Sequence, residues 1–234
     1  MSLVSEITGL YCQLLPTRAY YSIRSNEVIN NMNCRLCGKG VESVKHILSS
    51  CGELAKWHYM KRHNNALKCI FLQFLHQQKV TDSVPKWYTA SAIQPYYENK
   101  TTIALWDISE YSGAETENTR VYRPDAKVQL KEEKRIIILE MSVPWMDNRE
   151  SKLKEKIDKY QSVRSNLKLR YPDYEIGQAT FIMDVLGGYS KSLKDNIEKL
   201  IKDKRTVEKV IFNMQKAVLS DSSTIARKFK MSTR

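Results

Sequence analysis

The spacing of apolar positions changes several times along this chain, and the changes divide it. Residues 1 to about 33 read as short helical pieces broken at Pro16. From Gly52 to about Gln78, Leu54, Trp57, Leu67, Ile70, Phe71 and Phe74 fall at helical spacing and predict two helices with a bend at Asn64-Asn65. The polar run Thr81-Asp82-Ser83-Val84-Pro85 then reads as a boundary between a unit at 1–80 and a unit at 81–234. Beyond it, Thr101–Ile108, Val121–Leu130 and Arg135–Val143 read as strands, the last two joined by the charged turn Lys131-Glu132-Glu133-Lys134. Leu153, Ile157, Tyr160, Val163 and Leu167 recur at steps of three and four and predict one amphipathic helix over Glu150–Arg170, ended by Tyr171-Pro172. Gln178–Leu186 predicts a further strand, stopped at Gly187-Gly188. Two helices follow, carrying Leu193, Ile197, Leu200 and then Val207, Val210, Ile211, Met214. Strands interspersed with helices predict an α/β fold, with a mixed sheet flanked by helices and a small helical unit before it.

Charge adds a partner to this picture. Across 234 residues, 38 Lys+Arg face 26 Asp+Glu, a formal net charge of +12. An excess of that size favours a polyanion, and nucleic acid is the commonest one. Lys56, Lys61, Arg62, Lys68, Lys152, Lys154, Arg164 and the Arg227-Lys228 tail could track phosphate, and Tyr20, Tyr21, Trp57 and Trp87 could stack on unpaired bases. No stretch reaches the roughly 18 apolar residues of a membrane span, so no membrane partner is expected. The segment after Met1 has neither a basic start nor a long apolar run, so a soluble intracellular protein is expected.

The five cysteines are odd in number and include one tight pair, which suits a metal site in a reducing compartment better than a disulfide framework. The spacing Cys34-x2-Cys37-x8-His46-x4-Cys51 supplies three thiolates and one imidazole. Zinc takes such a set as a tetrahedron, and four protein ligands leave no open position, so the role is structural. Gly38 and Gly40 would reverse the chain after the first pair, and a short helix starting near Ser43 would bring in His46. A loop this small has no apolar core of its own, so the ion would be its folding energy. Cys12 and Cys69 lack ligand spacing and are expected as small buried residues.

The second chemical pattern is a pair of acids. If the turn is centred between Glu132 and Glu133, paired positions of the two flanking strands sum to 265, which sets Asp125 opposite Glu140. Directly opposed side chains share a face, with Cβ atoms about 4.5–5.5 Å apart. Glu140 follows Ile136-Ile137-Ile138-Leu139, so it sits in a buried strand and needs compensation. A divalent cation, Mg²⁺ or Mn²⁺, between the two acids would supply it, with the carbonyl of Met141 as a further ligand. Such an ion could activate water against a phosphodiester. Ser142 stands where a lysine two after the acid would be sought, and Lys156 on the following helix, one turn before Tyr160, is the substitute. Asp107 is either a third acid or a strand-end cap.

Taken in order, Leu15-Pro16-Thr17-Arg18, the Cys34-to-Cys51 knuckle, Arg62-His63, Trp106-Asp107, Arg123-Pro124-Asp125 and Glu140 resemble the C-terminal part of non-LTR retrotransposon polyproteins of the restriction-like endonuclease class. The resemblance runs from about residue 10 to 200. It implies a PD-(D/E)XK restriction-like endonuclease core after the zinc-knuckle unit. It implies a domain that nicks DNA, in the nucleus, so that a reverse transcriptase in the same or a larger polyprotein can prime on the exposed 3′ end. The RNA of the element would be a second nucleic-acid partner. By the same resemblance Asp125 and Glu140 are metal ligands, Lys156 and Tyr160 match a displaced lysine and its tyrosine, and Arg62, His63 and Arg123 contact nucleic acid. Glu140 departs from the commoner Asp. A competing expectation is a nucleic-acid-binding module whose cutting has decayed, but a pure binder has no reason to bury an intact acid pair.

Overall fold

The computed structural model describes residues 3–25, 28–90, 92–112 and 120–233. The chain opens with α1 (Leu3–Tyr11), α2 (Arg18–Arg24), α3 (Val44–Ser49) and α4 (Gly52–Leu54). A π-turn (Ala55–Tyr59) leads directly into α5 (Met60–Gln77). Then come β1 (Tyr96–Glu98), β2 (Thr102–Trp106), β3 (Glu110–Ser112), β4 (Arg120–Tyr122), β5 (Ala126–Leu130) and β6 (Arg135–Ser142). A 3₁₀ turn (Met146–Asn148), α6 (Arg149–Lys159) and α7 (Gln161–Arg170) cross to β7 (Glu175–Ile182), and α8 (Lys191–Leu200) and α9 (Lys204–Ser232) close the chain.

The order β1-β2-β5-β6-β7 makes one mixed sheet, antiparallel up to β6 and parallel between β6 and β7. The parallel pair is possible because α6 and α7 carry the chain back across the sheet. Alternation along β6 sorts the two faces. Ile137, Leu139 and Met141 join a core with α5, α8 and the first half of α9, whereas Ile136 and Ile138 pack on Tyr160, Val163 and Leu167 of the α6–α7 side. The expected α/β architecture, a mixed sheet flanked by helices, is therefore present.

The helix α9 ties the N-terminal elements to the sheet. Val207, Val210, Met214 and Val218 lie in the sheet core, and Ile225, Ala226 and Phe229 lie in a second cluster with Leu10, Leu15, Val44, Ile47 and Leu48. The boundary expected at Thr81–Pro85 falls between elements, yet α5 on its N-terminal side packs in the same core as β5, β6 and β7.

Several elements differ from the sequence reading. Asn64-Asn65 makes no bend, because α5 runs unbroken from Met60 to Gln77. The strand expected at Val121–Leu130 is split at Arg123-Pro124-Asp125 into β4 and β5, where proline lacks a ladder donor. The helix expected over Glu150–Arg170 breaks at Tyr160, which caps α6 and precedes α7. The last strand is Glu175–Ile182 rather than Gln178–Leu186, since its register follows β6 from Arg135 onward. Cys12 is exposed, not buried, whereas Cys69 is buried.

Arg62 also departs from the sequence reading. It is 1% exposed, so it cannot meet nucleic acid. Its guanidinium donates to the Leu48 carbonyl at 2.8 Å and to Ser222 Oγ at 3.0 Å, and lies over the Tyr59 ring. One side chain thus pins α3, α9 and the π-turn together, and burial lowers its pKa to about 10. Arg62→Leu leaves the buried Leu48 carbonyl unpaired, while Ser222 Oγ keeps its bond to the Val185 carbonyl. The expected loss is about 1–3 kcal/mol, the cost of one buried group left unmatched, read as a lowered urea midpoint.

Candidate functional site

The register of β5 and β6 builds the acid pair. Ala126 pairs with Leu139 and Lys127 with Ile138, so paired numbers sum to 265, and the next step sets Asp125 against Glu140. The Asp125 amide donates to Glu140 Oε1 at 3.1 Å, and the Met141 amide donates to Asp125 Oδ2 at 2.7 Å. Glu140 is fully buried, and the Asp125 side chain is 17% exposed. Because Glu140 continues the Ile136–Ile138 face, it looks toward α6, and Lys156 on that helix reaches it at 2.6 Å and Asp125 at 3.6 Å.

The two acids respond differently to this setting. Burial and then the charge of Asp125 raise the pKa of Glu140. Burial also works against ionised Asp125, but the hydrogen bond and charge of His63 outweigh it and hold its pKa below the ordinary value. For Lys156 burial is likewise outweighed, here by the charges of Asp125 and Glu140, and its pKa rises. Two carboxylates pushed apart beside a lysine form a unit suited to acid–base and metal chemistry.

His63, expected from the sequence to touch nucleic acid, stands instead inside the site, with Nε2 3.0 Å from both Asp125 Oδ2 and the Met141 carbonyl and Nδ1 2.9 Å from Asn64 Oδ1. No signal in the sequence points there, since His63 and Asp125 lie sixty-two positions apart. Tyr160 is buried, and its hydroxyl donates to the Arg123 carbonyl at 2.9 Å. Burial and the nearby Glu140 charge push its pKa up. Asp107, with φ +56°, leaves β2 and pairs with exposed Arg123 at 2.7 Å. All these groups except Glu140 and Tyr160 line a cleft of about 460 Å³, which Ser49, Ala55, Tyr59 and Met60 also line.

The β3–β4 pair is held by Glu110, which is 6% exposed and bonded to Lys127 and to Arg170. Burial raises the Glu110 pKa, but those two hydrogen bonds outweigh it and hold it below the ordinary value. A depressed carboxylate adds stability above its unfolded pKa and loses it as pH falls through the lower folded value. The protein should therefore lose stability below about pH 4 in part through this group. Glu110→Gln should cost about 1.5–3 kcal/mol at neutral pH and flatten that acid limb, as checked by urea unfolding across the range.

The Cys34, Cys37, His46 and Cys51 ligand atoms all lie within 4.8 Å of one another. Cys34 Sγ is 3.9 Å from Cys51 Sγ, and Cys37 Sγ is 3.3 Å from His46 Nε2. Such separations fit a tetrahedral ion with bonds of about 2.0–2.3 Å, so the cluster could hold zinc. Local structure sets it up. Gly38 and Gly40 have φ of 68° and 66°, and the Ser43 hydroxyl caps α3 by accepting from the His46 amide. Glu42, fully buried, accepts from the Arg18 and Arg35 amides and pairs with the Arg35 guanidinium, which fixes the loop between the ligand pairs. Without an ion, burial pushes the Cys51 thiol up to about 12. Tyr59 completes the link: its hydroxyl donates to the Ile47 carbonyl at 2.6 Å and accepts from the Cys51 amide at 3.1 Å.

Among the other basic candidates, Lys68 is buried with Nζ on the Thr89 carbonyl, Arg164 bonds Gln178, and Arg227 pairs with Glu6. Of the three, Lys68 is buried and Arg227 stays half exposed. Trp57, expected on the apolar helix face, is 79% exposed. Among the described residues, no helix is long and apolar enough to cross a membrane. No protein-family model and no curated protein sequence matches this chain.

Proposed function

We propose that the chain is a divalent-metal-dependent DNA endonuclease of the PD-(D/E)XK type with a zinc knuckle as its N-terminal support. The observation that carries this reading is fully buried Glu140, opposed to Asp125 and salt-bridged to Lys156, the two residues that line the cleft beside it. Oxygen donors of this kind suit Mg²⁺ or Mn²⁺, and Asp125, Glu140 and the Met141 carbonyl would hold the ion. Bound there, it would supply Lewis-acid charge and an acidified water. The chain's own groups do the rest. Lys156 offsets the paired acids and faces the charge that develops on the phosphodiester. Tyr160 fixes the Arg123 carbonyl and so the turn carrying Asp125. Exposed Arg123 lies at the cleft, where a phosphate can reach it. His63 orients Asp125 from the opposite wall.

In this reading the product is a nick with a free 3′-hydroxyl, from which a reverse transcriptase in the same or a larger polyprotein primes DNA synthesis in the nucleus on the element's RNA. The net charge of +12 supports a polyanionic substrate. Full-length protein incubated with supercoiled plasmid and Mg²⁺ or Mn²⁺ should yield nicked circles that DNA ligase reseals, with binding that weakens steeply as salt rises. Tight DNA binding without nicks would leave a binding module.

A further inference from the structure

We infer that the π-turn at Ala55–Tyr59 is a stacking platform, on which Trp57 takes an unpaired base of the DNA strand entering the acid cleft. For its substrate the platform rests on the nuclease reading, and for its site on separate observations. Trp57 is 79% exposed and Met60, one turn on, is 55% exposed. Both are large apolar side chains left open to solvent. The sequence spacing of Leu54 and Trp57 suits an α-helical core face, so this exposure needs a cause. The cause is the π-turn. Bonding at i to i+5 brings Tyr59 round to the side of buried Leu54, where its hydroxyl locks onto Ile47 and Cys51, and turns Trp57 outward. A turn of this kind is rare and is frequently found at functional sites.

Position and charge identify the occupant. Ala55, Tyr59 and Met60, which flank Trp57 in the chain, line the same cleft as Asp125. A strand that presents a phosphodiester to the acids therefore runs past Met60 toward Trp57. Exposed Lys56 and Lys61 stand one before and four after Trp57 in the chain, and the stretch from Gly52 to His63 carries one acid, Glu53. Basic side chains around an outward aromatic ring match a phosphate backbone with a base available to stack. The preference should be for single-stranded or flapped DNA, because a base inside a closed duplex offers no free face.

The test measures binding in EDTA, so that no cutting is required. The probes are a short dye-labelled single-stranded DNA, the same sequence as a blunt duplex and the same sequence as RNA, titrated with full-length protein. Trp57→Ala is expected to weaken single-stranded DNA binding by roughly five- to a hundredfold, as for loss of one stacked base. Trp57→Phe should recover most of that loss, and the salt slope should stay unchanged. Lys56→Ala with Lys61→Ala should lower the slope by roughly 0.7 for each phosphate no longer neutralised. Equal binding by wild type and Trp57→Ala overturns the platform, as does a loss seen only with RNA or equally with the blunt duplex. A Trp57-dependent preference for single-stranded DNA, in protein that never nicks, upholds the platform and removes the nuclease reading. Nicking with Trp57-independent binding does the reverse.

Discussion

Lys156→Met is expected to reduce strand cutting about a hundred- to a thousandfold, the usual cost of removing one charge-stabilising group from a reaction centre. It should also make folding depend on a divalent ion. The lysine Nζ lies 2.6 Å from a glutamate with no exposed surface and 3.6 Å from an aspartate that repels it. Breaking a buried ion pair from one side typically costs about 3–5 kcal/mol, because the remaining charge stays buried. Proton uptake by Glu140, whose pKa burial and Asp125 already raise, would relieve part of that cost. A divalent ion can replace the missing positive charge. Thermal unfolding should therefore show a larger gain from Mg²⁺ or Mn²⁺ in Lys156→Met than in the wild type. An unchanged midpoint and an unchanged cutting rate would make Lys156 an ordinary solvated lysine.

Loss of the knuckle metal should have the larger effect on stability. Structural zinc supplies about 10–16 kcal/mol in isolated finger peptides. Here part of that is shared, because Val44, Ile47 and Leu48 also pack on Ile225, Ala226 and Phe229 of α9. Cys51→Ser, or chelation, should release the N-terminal elements and the last turns of α9 while the sheet core stays folded. Hydrogen exchange should then show fast amides in α3 and near Phe229 and slow ones in β6. The disturbance also has a route to the acids, since Tyr59 holds the Cys51 amide and leads into α5, which carries His63. Wild-type protein should contain one zinc per chain. Zinc-free protein with native exchange throughout would remove the knuckle from the account.

What the sequence discloses follows from how local each signal is. The acid pair is legible because a four-residue charged turn and an unbroken apolar run fix a register, and register alone decides which side chains oppose each other. The Cys₃His cluster is legible because its ligands lie within eighteen positions. The place of His63 beside Asp125 is not legible because nothing near it in sequence records that α5 lies against the end of β6. Arg62 looks like a surface cation in a basic run, and only the carbonyl of Leu48 and the hydroxyl of Ser222, both distant in sequence, account for its burial. The short strands β1, β3 and β4 have three residues each, too few for an alternation to show. Trp57 misleads because one π-turn changes the helical period just where it stands.

The central claim, that Asp125 and Glu140 form a metal-dependent phosphodiester-cutting site, meets its most direct test in one paired assay. Zinc-loaded wild type and Asp125→Ala are incubated with supercoiled plasmid in EDTA, then with Mg²⁺ or Mn²⁺ restored, after both are shown to bind the plasmid. The account predicts nicked circles from the wild type only with the divalent ion, and none above background from Asp125→Ala. Nicking that persists in EDTA, or that Asp125→Ala performs as well as the wild type, would contradict it.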